Sequence, residues 1–370
     1  MTSTLGIVTL SPQYEEIFTR QLAKAAPAYR LKVVRFTPLD LKPASNLIQG
    51  QTYTNGKGFT DAEFPIPDLI YDRCLYQHDA QSKKAKPIME WLKKYPKTEF
   101  LNTGISNKMV LYEQLRLLPS LQPYLPVCSL LKEPSDLINL ARKGGGYCKL
   151  QPLSQQHGAS TYFISFDDDT STFTVQLSPK QIITFSRASE MERWCKKYIG
   201  RYFLQFFNTC DQKEFFINEI RIFLMKDSQN QWNRMGIHTK SPAENSLFSP
   251  PQKSPAVIGF EHYLNTLQPH IKELLLDDIA SIQASLPAFI DKTLSPCFEF
   301  AVDLLHTSEG RLFISNIKSK PGHSAFLKAF PKKENQLVRT ILEHAHSMKS
   351  QRKEVSHEQK SLHHRPTSHK

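Results

Sequence analysis

The hydrophobic pattern begins almost at once. Apolar residues run from Leu5 to Leu10 and stop at Ser11-Pro12, which predicts a first buried strand. Residues 14–25 change to helical spacing. Residues 32–36, 67–73 and 99–102 predict three more strands, and residues 80–94 a second helix. Strands alternating with helices predict an N-terminal α/β domain, over residues 1–105, around a mainly parallel sheet.

Residues 107–118 predict a helix with Ser106 or Asn107 as N-cap. Pro119, Pro123 and Pro126 read as a linker. A helix over residues 134–143 is stopped by Gly144-Gly145-Gly146. From Tyr147 the pattern turns β-rich, with strands over 147–150, 160–166, 172–177, 203–207 and 219–225 and a helix over 188–199. Asp227 to Gln231 reads as a hairpin turn between 220–226 and 232–237. Residues 261–290 are helical, with interruptions expected at Pro269 and Pro287. Two buried strands, 298–305 and 312–317, flank a polar hairpin, and a helix over 334–348 closes the α+β part. The tail, 349–370, is basic and polar and carries His357, His363, His364 and His369, so it is expected to be disordered. No internal repeat is found.

A chain of 370 residues with 40% hydrophobic content and 23 Phe has room for two or three domains and a large core. No apolar run is long enough to span a membrane, and the N-terminus lacks the basic and apolar regions of a secretory signal. The six cysteines are scattered with no CxxC pair, as in reduced, mostly buried thiols of an intracellular protein rather than a zinc site. The net charge of +12 reads first as a solvated basic surface and otherwise favours an anionic partner, either a phosphate-bearing ligand or an acidic protein. There is no zinc finger and no RNP-like aromatic strand pair, so nucleic acid is not the expected partner.

The candidate chemistry lies in order along the chain. Its markers are Gly6-Ile-Val-Thr-Leu-Ser-Pro, Pro67-Asp-Leu-Ile-Tyr-Asp-Arg, Phe100-Leu-Asn, Asn107-Lys108, Leu204-Gln205, Glu219-Ile-Arg-Ile-Phe-Leu-Met-Lys-Asp with Trp232 and Gly236-Ile, and Ser319-Lys320-Pro321-Gly322. In this order and spacing the chain, over most of residues 5–345, resembles the endospore coat-associated YheC/YheD family of spore-forming bacteria, which has an ATP-grasp fold. The resemblance implies an α/β pre-ATP-grasp domain followed by an ATP-grasp domain over 106–348, with a lid over about 130–200 and a core over about 201–348. It also implies ATP as ligand, Mg²⁺ as its metal and spore coat proteins as partners. The protein is thus expected in the cytoplasm of the producing cell and then at the spore coat.

On the matching positions, Lys108 would reach the phosphates from the start of a helix. Pro152 places Gln151 where the family has its second lysine, and Lys149 lies two residues upstream on the same strand face. The glycine-rich phosphate loop keeps only Gly158, with Gln155 and Ser160 at the other glycine positions. Gln205, Phe206 and Phe207 fall on the strand that meets adenine. Arg221 and Lys240 match further cations, for phosphate or substrate, or are simply ion-paired surface residues, and Glu219 is a neighbouring acid.

Metal chemistry is where the chain departs furthest. Many ATP-dependent ligases hold Mg²⁺ with an Asp on one strand and a Glu-x-Asn on the next. Asp303 is kept, but the other two positions are Asn316, a weak ligand, and Lys318. A unit charge facing a divalent ion at about 4 Å costs roughly 8 kcal/mol at an effective dielectric near 20. Either no Mg²⁺ binds, or Lys318 replaces it by pairing with Asp303 or a phosphate. Two functions are carried forward. One is a spore-associated ATP-grasp protein with a degraded metal and phosphate site, structural or anion-binding. The other is an active ATP- and Mg-dependent carboxylate–amine ligase.

Overall fold

Three sheets organise the chain. The computed structural model describes residues 2–42, 44–76, 79–142, 146–153, 161–178, 181–208, 216–240 and 257–363. The first sheet holds β1 (Ser3–Val8), β2 (Leu31–Phe36), β3 (Leu41–Lys42), β4 (Leu47–Thr54), β5 (Gly58–Pro65), β6 (Leu69–Asp72) and β7 (Glu99–Phe100). Its order is β3-β4-β2-β1-β6-β7, with β5 on β4. The four strands β2, β1, β6 and β7 run parallel, while β3, β4 and β5 pair antiparallel. The expected mainly parallel sheet is therefore mixed. The β4–β5 hairpin escapes the sequence pattern because Gln49, Asp61 and Glu63 point polar groups outward along it. Helices α1 (Glu16–Ala25) and α2 (Ala80–Lys93) complete this part.

Helix α3 (Lys108–Leu115) follows, capped by the Asn107 side chain, which accepts from the backbone of Met109 and Val110. The second sheet contains β8 (Val127–Leu130), β9 (Gly146–Pro152), β10 (Tyr162–Asp167), β11 (Thr172–Ser178), β12 (Gln181–Phe185) and β13 (Tyr202–Asn208). It is antiparallel, in the order β12-β11-β10-β9-β13-β8. Strand β8 lies just past the prolines expected to form a linker. Helices α4 (Pro134–Ala141) and α5 (Ala188–Cys195) cover one face, burying Leu137, Met191 and Cys195 against Cys148, Leu150 and Leu204.

The third sheet, β16-β15-β14-β17-β18, is built from β14 (Phe216–Lys226), β15 (Trp232–Lys240), β16 (Val257–Gly259), β17 (Glu299–Thr307) and β18 (Leu312–Lys318). Gly236 in β15 is required by close approach, since a Cβ there would lie 2.5 Å from the Phe330 ring. Between β16 and β17 come the short α6 (Phe260–Leu264) and the long α7 (Pro269–Thr293). Pro269 sits in the first turn, where no N–H partner is needed. Pro287 lies inside the helix, so the interruption expected there does not occur. Ile279, Ile282, Leu286 and Ile290 of α7 pack against Ile222, Phe300, Val302 and Leu304.

The last helices are α8 (His323–Ala329) and α9 (Glu334–His363). Helix α9 passes the end expected at Met348, so the tail expected to be disordered from 349 begins as helix; residues 364–370 lie outside the described residues. Lys349 pairs with Asp68 at 3.0 Å. Leu337, Ile341 and Ala345 of α9 join Phe18 and Leu22 of α1, Val33 of β2 and Phe223, Met225 and Ala301 of the third sheet in one core.

A buried ion cluster fixes the same junction. Arg73, just past β6, pairs with Glu15 at 3.0 Å and Glu299 at 2.6 Å. Tyr71 donates to Glu299 at 2.7 Å, and His323 Nε2 lies 3.0 Å from Glu299. Cys74, Cys128, Cys148, Cys195 and Cys297 are free and buried. No helix among the described residues is long and apolar enough to cross a membrane.

Candidate functional site

Strand β17 is buried along its whole length, and its alternation decides what each face does. Phe300, Val302 and Leu304 face α7. Glu299, Ala301, Asp303 and Leu305 share the other face. Glu299 ends in the ion cluster, Ala301 in the junction core, and Leu305 against Phe207 and Phe313. Asp303 stands between them, opposite Arg221 on β14 and Asn316 on β18.

A bulge in β18 makes the site. Leu304 pairs with Ile314, but Asp303 pairs with Asn316, so Ser315 is the extra residue. Without it, Asn316 and Lys318 would fall on the opposite face from Phe313. The bulge turns both into the cleft. It also frees the Ser315 carbonyl, which accepts from Lys149 Nζ at 2.9 Å and Gln151 Nε2 at 3.5 Å. The Ser315 hydroxyl donates to the Asp303 carbonyl at 3.2 Å.

Asp303 is held by cations. Arg221 meets it through Nε at 2.5 Å and a terminal nitrogen at 2.9 Å. Lys318 Nζ lies 3.4 Å from its Oδ2, and the Asn316 amide donates to the same oxygen at 3.4 Å. Burial opposes its charge, yet Arg221 and Lys318 hold Asp303 well below the usual carboxylate range. Asn316 is a bridge, for its Oδ1 accepts from Lys108 Nζ at 2.7 Å. Lys240 and Arg221 flank Glu219 at 3.3 and 3.8 Å. Burial raises the cost of charge on Glu219, but Lys240 draws its pKa down.

Mg²⁺ needs several hard oxygens in octahedral array. Both carboxylates here are already engaged by cations, so the donors do not fit that ion. No group of three His, Cys, Asp or Glu able to hold a metal occurs among the described residues.

Five cations, Lys108, Lys149, Arg221, Lys240 and Lys318, thus gather around two carboxylates. Lys108 and Lys149 are each only 6% exposed. Burial, with Lys149 and Lys318 nearby, pushes the Lys108 pKa down to about 7. Burial pushes Lys149 down to about 8 and lowers Lys318 as well. These lysines bind fewer protons folded than unfolded, so the empty protein should gain stability as pH rises from about 7 towards 10. Binding of tripolyphosphate would recharge them, so its affinity should fall in the same interval, by about tenfold from pH 7 to 9, or 1.4 kcal/mol. Thermal melts and calorimetric titrations across that range should move in opposite directions; parallel trends would contradict the geometry.

The sequence-predicted residues divide. Lys108, Lys149, Gln151, Gln205, Arg221, Lys240, Asp303, Asn316 and Lys318 converge on one cleft. Gln151 donates to Gln205 Oε1 at 2.5 Å, and Gln205 Nε2 is buried with no partner among the described residues. Arg221, expected as a phosphate cation or an ion-paired residue, is the main partner of Asp303. Phe207 is buried edge-on against Phe313, 5.5 Å away. Phe206 follows Gln205 on the strand and so faces away from the cleft. The expected loop positions Gln155, Gly158 and Ser160 lie outside the described residues. His238 was missed: it sits beside Arg221 on β15, buried, with its pKa lowered to about 4 by burial and by Arg221. Its two-residue spacing from Lys240 was the available signal.

Among solved structures, D-alanyl-alanine synthetase A from Vibrio cholerae aligns with a TM-score of 0.48 and 11% identity, covering 87% of this chain and 90% of that one. VanG D-Ala:D-Ser ligase from Enterococcus faecalis aligns at 0.49 and 9%, covering 87% and 91%. A family profile described as YheC/D like ATP-grasp matches residues 97–348, which sets the class as ATP-grasp. The endospore coat-associated protein YheC of Bacillus subtilis is 32% identical over 337 residues, 90% of this chain and 93% of that protein. The chain belongs to the YheC/D-like ATP-grasp family.

Proposed function

We propose that this protein is a spore coat-associated member of its family that binds ATP, or another polyphosphate, without a divalent metal and does not catalyse ligation. The observation that carries this reading is the Lys318 ammonium 3.4 Å from Asp303, beside the two-point Arg221 contact. An ammonium fills the side of the carboxylate that a metal would use. Ligase chemistry on ATP depends on metal ions that bridge the phosphates and absorb developing charge. Lys108, Lys149 and Lys318 would supply positive charge to a bound polyphosphate. The units around this ligand would be the N-terminal domain over 1–105, a lid over about 130–200 and a core over about 201–348.

The test is an ATP titration by calorimetry with and without Mg²⁺. Affinity should not rise when Mg²⁺ is added, and should fall as far as the ion draws free ATP into its own complex. A tenfold gain with Mg²⁺, or ADP release with any carboxylate–amine pair, would restore the ligase reading.

A further inference from the structure

A cavity of 260 Å³ opens at the carboxyl end of β6, lined by Asp72, Leu75, Tyr76, Lys86, Ile105 and Lys320 among others. None of its lining residues belongs to the lysine cleft. Its position has a topological reason. From β1 the chain passes to β2 on one side and later returns to β6 on the other, both parallel to β1. Open α/β sheets take ligands outside the carboxyl ends of the strands where the order reverses in this way. Here the loop after β6, one side of α2 and the segment leading into α3 form the walls, and Lys320 reaches in from beyond β18.

The chemistry of the lining is specific. Leu75, Tyr76 and Ile105 make it largely apolar. Two of its cations are neutralised, Lys320 by Asp72 and Lys93 by Glu90, each at 2.7 Å. Lys320 also donates to the Cys74 carbonyl at 3.1 Å, which fixes that end of the cavity. Lys86 has no carboxylate partner among the described residues; its ammonium stands 5.4 Å from the centre of the Tyr76 ring. A Cβ at Gly104 would make only an ordinary contact, 3.4 Å, with Lys320 Cε and Nζ. An apolar cavity of about 150 Å³ takes a benzene molecule. This one has room for a single ring, or a branched chain of similar bulk, plus a carboxylate.

We propose that this cavity binds a small organic monoanion, an aromatic or branched aliphatic carboxylate, with its apolar body against Tyr76 and Ile105 and its carboxylate on Lys86. The site is separate from the polyphosphate cleft and stands whether or not ATP binds there.

Calorimetric titration of the full chain with phenylacetate and with 3-methylbutanoate tests it. At least one should bind saturably in the millimolar range or below, with benzyl alcohol about tenfold weaker, 1.4 kcal/mol less. Lys86→Gln should weaken the acid about tenfold, 1.4 kcal/mol, and Leu75→Trp should abolish its binding by filling the cavity. An unchanged thermal midpoint establishes that each variant is folded. Tripolyphosphate should neither compete with the acid nor lose affinity in the variants. The proposal is overturned if neither acid saturates, if both variants bind the acid like the parent, or if tripolyphosphate displaces it.

Discussion

Changing Asn316→Glu and Lys318→Asn together is expected to make nucleotide binding depend on Mg²⁺. The pair removes the ammonium 3.4 Å from Asp303 and adds a carboxylate at the position that now bridges Lys108 and Asp303. A hard cation would then find two carboxylates and an amide oxygen on adjacent strands. Adding Mg²⁺ should tighten ATP at least tenfold in the double variant, about 1.4 kcal/mol, against no gain in the parent. Lys318→Asn alone should give less, because Arg221 still spans Asp303. If the double variant ignores Mg²⁺, the Arg221 contact blocks the metal by itself, and a triple variant with Arg221→Gln becomes the informative one.

Arg73→Ala should be the most destabilising single change outside the apolar cores. It would strand Glu15 and Glu299, both buried, without their main cation, and remove a 2.6 Å bond to the Pro321 carbonyl. Loss of one partner from a buried pair typically costs about 3–5 kcal/mol. Urea denaturation should read that loss, and Arg73→Ala with Glu299→Gln should recover part of it. A cost below about 1 kcal/mol, the scale of an exposed pair, would mean that water enters the junction. His323 adds a pH signature. Burial and Arg73 oppose its charge, but Glu15 and Glu299 carry its pKa above the usual value. Its contribution should be present below about pH 6.5 and fade as pH rises through the folded value.

Much of this was legible in the sequence. The strand pair around Asp303 follows from local pattern, which also led to a helix over 107–118 capped by Ser106 or Asn107; the helix found is Lys108–Leu115, and Asn107 is the cap. The Glu219–Arg221 spacing likewise put both side chains on one face of β14. Sequence could not settle whether Lys149 or Gln151 enters the cleft, and the structure shows why. They share a face of β9, and both reach the Ser315 carbonyl. Nor could it foresee that carbonyl as an acceptor, since a bulge is a property of two strands in register and not of one. Arg221 stood as ligand cation or ion-pair partner until β14 and β17 were aligned. Strands β8 and β4–β5 were hidden because short edge strands and half-exposed hairpins carry weak alternation.

The core shared by α1, β2 and α9 has a consequence for how the protein is made. Phe18, Leu22 and Val33 emerge early in synthesis, while Leu337, Ile341 and Ala345, which cover them, emerge near the end. At about 5–20 residues per second, that surface waits on the order of tens of seconds for its cover. The first sheet and α1 therefore reach full burial only when the last helix arrives, and a ribosome stalled before α9 would hold an apolar surface open to chaperones.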